Sequence, residues 1–322
     1  MDAGFAALGQ TLYVPDFWEN TLRMNSSRSM SLQDLPSEMP EGKVLEITTT
    51  TGCIVGCSYC PQDKFAARQR AVSHAKHLRL EDFKRCLAHV PPAVDISFSG
   101  YSEPWLNPDC TEMVEHAHAS GHGIRIFTTL VGMNGRDLRR LQALEFRAFL
   151  VHVFDDGTYM NSRLVRRKYV DSMRQLVDAD MSSLLFIVMG EVHPDLVEII
   201  PEEALIRSRP PSSRGGSVNP KIAEARQPIA GGLTCPDERQ HRNVLLPNGD
   251  VTLCRMDFER RHVLGNLLRD RYEDLFEGPT FCEIVDRMNG KDGFLCCRIC
   301  EFAQPMAKGA RVGLLRNGGQ DF

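Results

Sequence analysis

The sequence predicts an α/β fold, a partial (β/α)6 TIM-like barrel followed by a small C-terminal α+β domain. Three observations carry that reading. Short runs rich in Val, Ile, Leu and Phe alternate with amphipathic stretches from residue 43 to about residue 208, as strands buried on both faces and their covering helices do. Repeated strand–helix units imply a parallel sheet with right-handed crossovers. A break rich in Pro, Ser and Gly then leads to an Asn-Gly turn between two short strands, a hairpin signal of different character.

Strands are expected at 44–50, 94–99, 124–129, 148–154, 184–189 and 204–206. Helices fall between them. The stretch 80–90 puts Phe83, Leu87 and Val90 on one side, and 109–120 ends at Gly121, a suitable C′ residue. The stretches 134–144 and 162–179 repeat the pattern. Six units make a barrel that stops short of eight strands, and functional groups should gather at the carboxyl ends of its strands. The segment Arg207-Ser208-Arg209-Pro210-Pro211-Ser212-Ser213-Arg214-Gly215-Gly216-Ser217 has linker composition. Beyond it, strands at 243–246 and 251–254 flank Pro247-Asn248-Gly249-Asp250, and helices are expected at 272–276 and 280–288. The organisation expected is a polar N-terminal extension (1–42) that packs against or covers the rest, a core (43–225) and a small second domain (226–322). No internal repeat is evident.

A chain of 322 residues with 42% hydrophobic and 25% charged residues is ordinary for a soluble globular protein. Its net charge of −4 provides no global attraction to nucleic acid or an anionic membrane. The start, Met1-Asp2-Ala3-Gly4-Phe5, lacks the basic and apolar regions of a signal peptide. The run 184–189 is far too short to span a bilayer. Eleven cysteines without an export signal point to metal ligation in a reducing compartment, hence to the cytoplasm.

Cys53, Cys57 and Cys60 form a C-x3-C-x2-C loop directly after the first strand. Three thiolates on one short loop can hold three irons of a cubane and leave the fourth without a protein ligand. Such an iron is free to bind a substrate or cofactor. A zinc site would want a fourth ligand nearby, and His74 and His77 lie well downstream in a polar, basic stretch. A disulfide suits a secreted chain. Cysteine as a small buried hydrophobe does not need three so close together.

A second set crowds the last quarter: Cys235, Cys254, Cys282, Cys296, Cys297 and Cys300. Cys235, Cys254, Cys297 and Cys300 are the expected ligands of one metal centre, with Cys296 able to replace Cys297. Four thiolates fit structural zinc as well as iron, and spacing alone leaves both open. Cys282 follows an amphipathic pattern and is expected as core filler. Cys86 and Cys110 lie in helical patterns and are expected to be packed.

These residues resemble the radical S-adenosylmethionine (radical SAM) superfamily, including aromatic Tyr59 before the third cysteine. Ser99-Gly100-Tyr101-Ser102-Glu103-Pro104 resembles its G-G-E-P motif, with Tyr101 and Ser102 where two glycines are usual. The resemblance implies that Gly100, Ser102 and Glu103 surround the methionine moiety of SAM. Cys235-x13-Gly249-x4-Cys254 followed by Cys297-x2-Cys300 is similar to the SPASM extension, most of all its shortened twitch form. That implies an auxiliary [4Fe–4S] cluster beside the SAM-binding [4Fe–4S] cluster, and makes the second domain an iron–sulfur one. It also implies a reducing partner such as flavodoxin or ferredoxin, and reductive cleavage of SAM to a 5′-deoxyadenosyl radical.

The resemblance implies cofactor contacts at later strand ends, which places Thr128 and Thr129 near the cofactor's ribose or methionine and Glu191 near the cofactor. His152 and Asp155 are expected to bind substrate hydroxyls or take a proton. Each could equally be a satisfied strand-end group, as could His193. Arg207, Arg209 and Arg214 meet a carboxylate or are solvated charges. The reaction expected is oxidation of a small hydroxylated substrate (sugar, aminocyclitol or nucleoside), with the auxiliary cluster accepting an electron. Polar strand ends favour it, as does an extension too short for a winged-helix leader-binding unit. The alternative is epimerisation or crosslinking of a ribosomal precursor peptide, with Cys282 or Cys296 as hydrogen donor.

Overall fold

The computed structural model describes residues 43–179, 181, 183–207, 212–235, 242–307 and 309–312. The expected 1–42 extension and Arg209 lie outside them. The stretch Gly42–Phe322 forms one compact unit.

Six strands, β1 (Val44–Ile47), β2 (Asp95–Phe98), β3 (Ile124–Thr128), β4 (Ala148–His152), β5 (Leu184–Val188) and β6 (Leu205–Arg207), pair in parallel and in chain order. Helices α1 (Gln62–Arg70), α2 (Leu80–Leu87), α3 (Cys110–Ala119), α4 (Gly135–Leu141) and α5 (Arg167–Val177) connect or flank them. The sheet does not close, so the barrel is partial. Its core runs through Leu45, Ile47, Ile96, Phe98, Ile126, Phe149, Val151 and Phe186, all nearly or fully buried. Cys86 and Cys110 are packed within it, as their helical positions suggested.

The C-terminal segment does not build its main sheet separately. Strand β8 (Arg242–Leu245) lies parallel to β1, and β9 (Asp250–Thr252) and β10 (Val263–Asn266) follow antiparallel. The sheet therefore has nine strands in the order β10-β9-β8-β1-β2-β3-β4-β5-β6. The expected hairpin forms, but its first strand also completes the flank of β1. One polar contact braces β8 from within the C-terminal segment, and another secures the join to β1. The Tyr272 hydroxyl donates to Asn243 Oδ1 at 2.8 Å, and Glu46, inside β1, lies 3.3 Å from the Arg255 guanidinium. A separate pair, β7 (Leu233–Thr234) with β11 (Gln304–Pro305), carries the rest of this segment, with α6 (Pro279–Met288) beside it.

Several expected boundaries move for identifiable reasons. The first strand stops at Ile47, not residue 50: Thr48 makes a last bond to β8, and the Thr49 and Thr50 side chains turn to other segments. Thr48 N–H donates to the Leu245 carbonyl, Thr49 Oγ1 to that of Pro104 and Thr50 Oγ1 to that of Lys76. The helix expected at 162–179 is a 3₁₀ turn (Ser162–Leu164) followed by α5. The one expected at 272–276 is also 3₁₀ (Glu273–Phe276). In α4, Asn134 and Asp137 form a reciprocal capping box that fixes its start. Helix α1 was not expected. Only Phe65, Ala66 and Gln69 are buried along it, too few for a clear helical stripe in sequence.

Among the described residues, no helix is long and apolar enough to cross a membrane.

Gly100 turns the chain off β2 with φ +57°, and a β-carbon there would lie 2.8 Å from Thr48 N and 2.9 Å from the Ile47 carbonyl carbon, as well as against Thr48 Oγ1. Gly100→Ala is therefore expected to cost about 2 kcal/mol or more, read as a lower urea midpoint. A midpoint like that of the parent would refute the tight approach.

Candidate functional site

The 53–60 loop leaves the carboxyl end of β1. Gly52 and Gly56 adopt φ +96° and +69°, conformations open to glycine without strain. Thr51 N–H donates to the Lys76 carbonyl, Ser58 N–H to that of Tyr159 and Cys60 N–H to that of Cys57. Asn107 Nδ2 braces the base of the loop by donating to the Thr49 and Leu78 carbonyls. Cys53, Cys57 and Cys60 are half-buried and free; Cys57 feels the charge of Cys53, and Cys60 that of both. Burial pushes the Cys57 and Cys60 thiols up to about 12 and raises Cys53. Thiols held this way bind metal only by giving up protons to it.

Glu103 is buried beneath this loop. Its Oε1 accepts from Thr128 Oγ1 at 2.7 Å and Trp105 N–H at 3.3 Å, and its Oε2 accepts from Thr129 N–H and Oγ1 at 2.6 and 2.8 Å. Burial raises its pKa against these four donors. Thr128 and Thr129, expected near a cofactor, give their hydroxyl protons to Glu103. The carboxylate in turn has its lone pairs taken. Ser102 Oγ, one residue earlier, is buried without a partner, and so is Gln62 Oε1.

Tyr59 is buried, and its hydroxyl lies 3.2 Å from His152 Nε2, with the rings nearly parallel. Burial, then the positive charge of Arg214, lowers the His152 pKa to about 4. The Arg214 guanidinium also acts on Tyr59 and Cys60, and its Nε is buried without a partner. His152, Tyr59, Arg214 and the cysteine loop thus share one locality.

Asp155 does not serve as an open proton acceptor. Fully buried, it accepts from the backbone N–H groups of Gly157, Tyr159 and Met160 and so shapes the 156–161 turn. The Glu191 side chain is exposed, and its residue braces the same turn through its carbonyl, which accepts from Asp156 N–H. His193 Nδ1 accepts from Asp195 N–H, capping a 3₁₀ turn. Arg207 pairs with Glu202 at the surface.

The second cysteine set converges from three elements. Cys254 follows β9, and its buried thiol is raised by burial and then by the charges of Cys297, Cys300 and Cys235. Cys300 likewise faces Cys297 and Cys235. Cys296 sits beside them, its N–H donating to His262 Nε2 at 3.2 Å. Cys282 stands apart on α6, half-buried rather than core filler, with Sγ 3.6 Å from the Glu277 carbonyl. Among the described residues, no three His, Cys, Asp or Glu side chains close on a single metal ion. Thiolates around a cubane each bind a different iron and so stand further apart than ligands of one ion.

The sequence matches the Radical SAM superfamily over residues 47–200 and the SPASM iron–sulfur cluster-binding domain over residues 235–301. The chain belongs to the radical SAM superfamily and carries a SPASM domain. No curated protein matches it. Among solved structures, BtrN in complex with AdoMet and 2-DOIA superposes with a TM-score of 0.52 at 18% identity, covering 82% of this chain and 93% of that one. SuiB of Streptococcus suis, bound to the precursor peptide SuiA, gives 0.53 at 11%, covering 82% and 70%. The enzyme anSMEcpe, with AdoMet and the Cp18Cys peptide, gives 0.51 at 13%, covering 84% and 92%. At these identities the likeness establishes the fold.

Radical SAM and SPASM domains carry a SAM-binding [4Fe–4S] cluster and an auxiliary iron–sulfur cluster. The residues here fit both. One loop offers three free thiols close in charge contact, and the C-terminal segment offers four. The unpartnered Ser102 Oγ and Gln62 Oε1 lie beside the first group, where SAM would bring donors and acceptors.

Replacing Cys53, Cys57 or Cys60 with Ala is expected to abolish formation of 5′-deoxyadenosine from SAM, measured by chromatography. Cleavage surviving in any of the three would contradict the cluster loop. Replacing Cys297 or Cys300 should remove about four irons per chain in a colorimetric assay, and unchanged iron in both would rule out the second centre. For His152, an unfolded imidazole takes its proton near 6.5 while the folded one waits until about 4. Stability should therefore fall as pH drops from 6.5 towards 4. A His152→Asn variant is expected to lose less over that window in denaturant titrations.

Proposed function

We propose that this radical SAM enzyme modifies a peptide, removing hydrogen from a carbon of a segment that docks along the open sheet edge at β6. The carrying observation is β6, which ends the nine-stranded sheet with β5 as its one strand partner among the described residues. Its residues are half-buried or exposed. An edge of this kind accepts an extended peptide by main-chain hydrogen bonds. The chain then leads within a few residues to Arg214, next to Tyr59 and His152. That SuiB and anSMEcpe are recorded with peptides supports the same substrate class.

In this reading the core extends to residue 225, and Cys53, Cys57 and Cys60 hold the SAM-binding cluster. The bound cluster and SAM together supply the hydrogen-abstracting radical, with an electron from a reducing partner such as flavodoxin or ferredoxin. Ser102 presents its hydroxyl to SAM, and Glu103 keeps the carboxyl end of β3 in place beneath it. Tyr59 packs the cysteine loop onto His152. His152 is neutral near pH 7, so its imidazole can take a proton from the substrate. Arg214 pairs with a carboxylate of substrate or SAM. Residues 226–322 hold the second cluster through Cys235, Cys254, Cys297 and Cys300. With four protein thiolates that cluster has no vacant iron, which suits it to passing electrons rather than binding substrate.

One observation favours a second reading, oxidation of a small hydroxylated molecule. The likeness to BtrN, recorded with 2-DOIA, covers nearly all of that chain. A base such as His152 would take the hydroxyl proton there. Deuterium transfer into 5′-deoxyadenosine decides between them by mass spectrometry. Label is expected from perdeuterated peptide substrates and not from perdeuterated aminocyclitols or sugars. Label arriving only from the latter would replace the peptide reading with the second.

A further inference from the structure

Tyr101 stands where the motif it belongs to usually has glycine, and it reaches both iron–sulfur regions at once. Its N–H donates to Thr48 Oγ1 at 3.0 Å, at the end of β1. Its carbonyl accepts from Gln62 Nε2, two positions after Cys60. Its ring packs between Phe65 of α1 and Phe258, with centroids 4.9 and 4.4 Å away. With Val244 and Leu246 these rings form a small buried cluster against which Cys60 rests. The phenol oxygen lies 2.9 Å from the Cys254 carbonyl, 3.0 Å from the Asp257 carbonyl and 3.1 Å from Thr252 Oγ1. A phenol has one proton, so it donates to the paired carbonyls while accepting from the Thr252 hydroxyl. Glycine could make none of the side-chain contacts.

We propose that Tyr101 is a positioning residue whose phenol fixes the auxiliary-cluster ligand Cys254 relative to the SAM-cluster loop. The proposal rests on the reading of Cys254 as a ligand. Two consequences follow from the geometry. The ring alone holds the elements in contact, whereas the hydroxyl sets where the Cys254 backbone sits. The O–H dipole also turns its positive end towards that backbone, which favours the more negative, reduced state of a cluster bound there.

The test uses the reconstituted holoenzyme and the variants Tyr101→Phe, Tyr101→Gly, Thr252→Val and Cys254→Ala. Circular dichroism checks the fold, redox titration followed by electron paramagnetic resonance reads each cluster, and iron release into EDTA reads cluster retention. Tyr101→Phe is expected to load both clusters and leave the SAM-site signal as in the parent. Its auxiliary midpoint should move to more negative values, and its auxiliary iron should be lost several-fold faster. Thr252→Val should shift the auxiliary midpoint the same way by less, and it carries the test if Tyr101→Phe does not fold. A Tyr101→Phe protein matching the parent in midpoint and iron release, while Tyr101→Gly loses the auxiliary cluster, would overturn the proposal in favour of ring packing alone. A parent-like midpoint in Thr252→Val would also overturn it where that variant carries the test. Persistence of the auxiliary signal in Cys254→Ala would remove the ligand reading itself, and the proposal with it.

Discussion

The position of β1 between two parallel neighbours is the constraint on which the rest of the molecule depends. With β2 on one side and β8 on the other, all four of its residues are buried, and its carboxyl end has no freedom to swing. The cysteine loop starts from that fixed end. The same pairing brings the C-terminal segment alongside, so Cys254 is delivered by a hairpin anchored to the strand that presents Cys53. Cys53 and Cys254 are therefore both referred to one strand through backbone hydrogen bonding.

Buried polar groups then do the local fixing. Glu103, Asp155 and Tyr101 are nearly or fully buried, where an unpaired polar atom would cost about 1–3 kcal/mol. Glu103 and Tyr101 are satisfied by groups from other elements, and Asp155 by the amides of its own turn. Glu103 joins the turn after β2 to the end of β3, Asp155 holds its own turn, and Tyr101 spans residues 153 positions apart. Satisfaction has a chemical consequence. A carboxylate with every lone pair accepted is a fixture, not a base. Among the described residues this locality keeps Ser102 Oγ, Gln62 Oε1 and Arg214 Nε without partners, beside the imidazole of His152, which burial and Arg214 keep neutral.

The comparison with expectation follows from that division. The three-cysteine loop, the six parallel strands and the four later cysteines were legible because spacing and apolar runs are local properties of the chain. Asp155, Thr128 and Thr129 were read as site residues because they follow strands, and they do lie at strand ends. Sequence could not reveal that backbone amides already bind Asp155 or that Glu103 already takes the two threonine hydroxyl protons. Helix α1 was missed because its buried side is narrow, and the departure at Tyr101 registered only as a deviation from a motif. Its partners Thr252, Cys254 and Asp257 carry no mark linking them to it.

The sequence by itself determined which atoms could ligate iron, because thiol chemistry and spacing within a turn need no tertiary context. It also determined the strand–helix rhythm, since burial on both faces demands continuous apolar runs. Only the tertiary structure decided that the C-terminal hairpin would extend the barrel sheet, and which polar side chains would stay uncommitted. Strand pairing and hydrogen-bond satisfaction are choices among distant partners, and a chain read one window at a time holds no record of them.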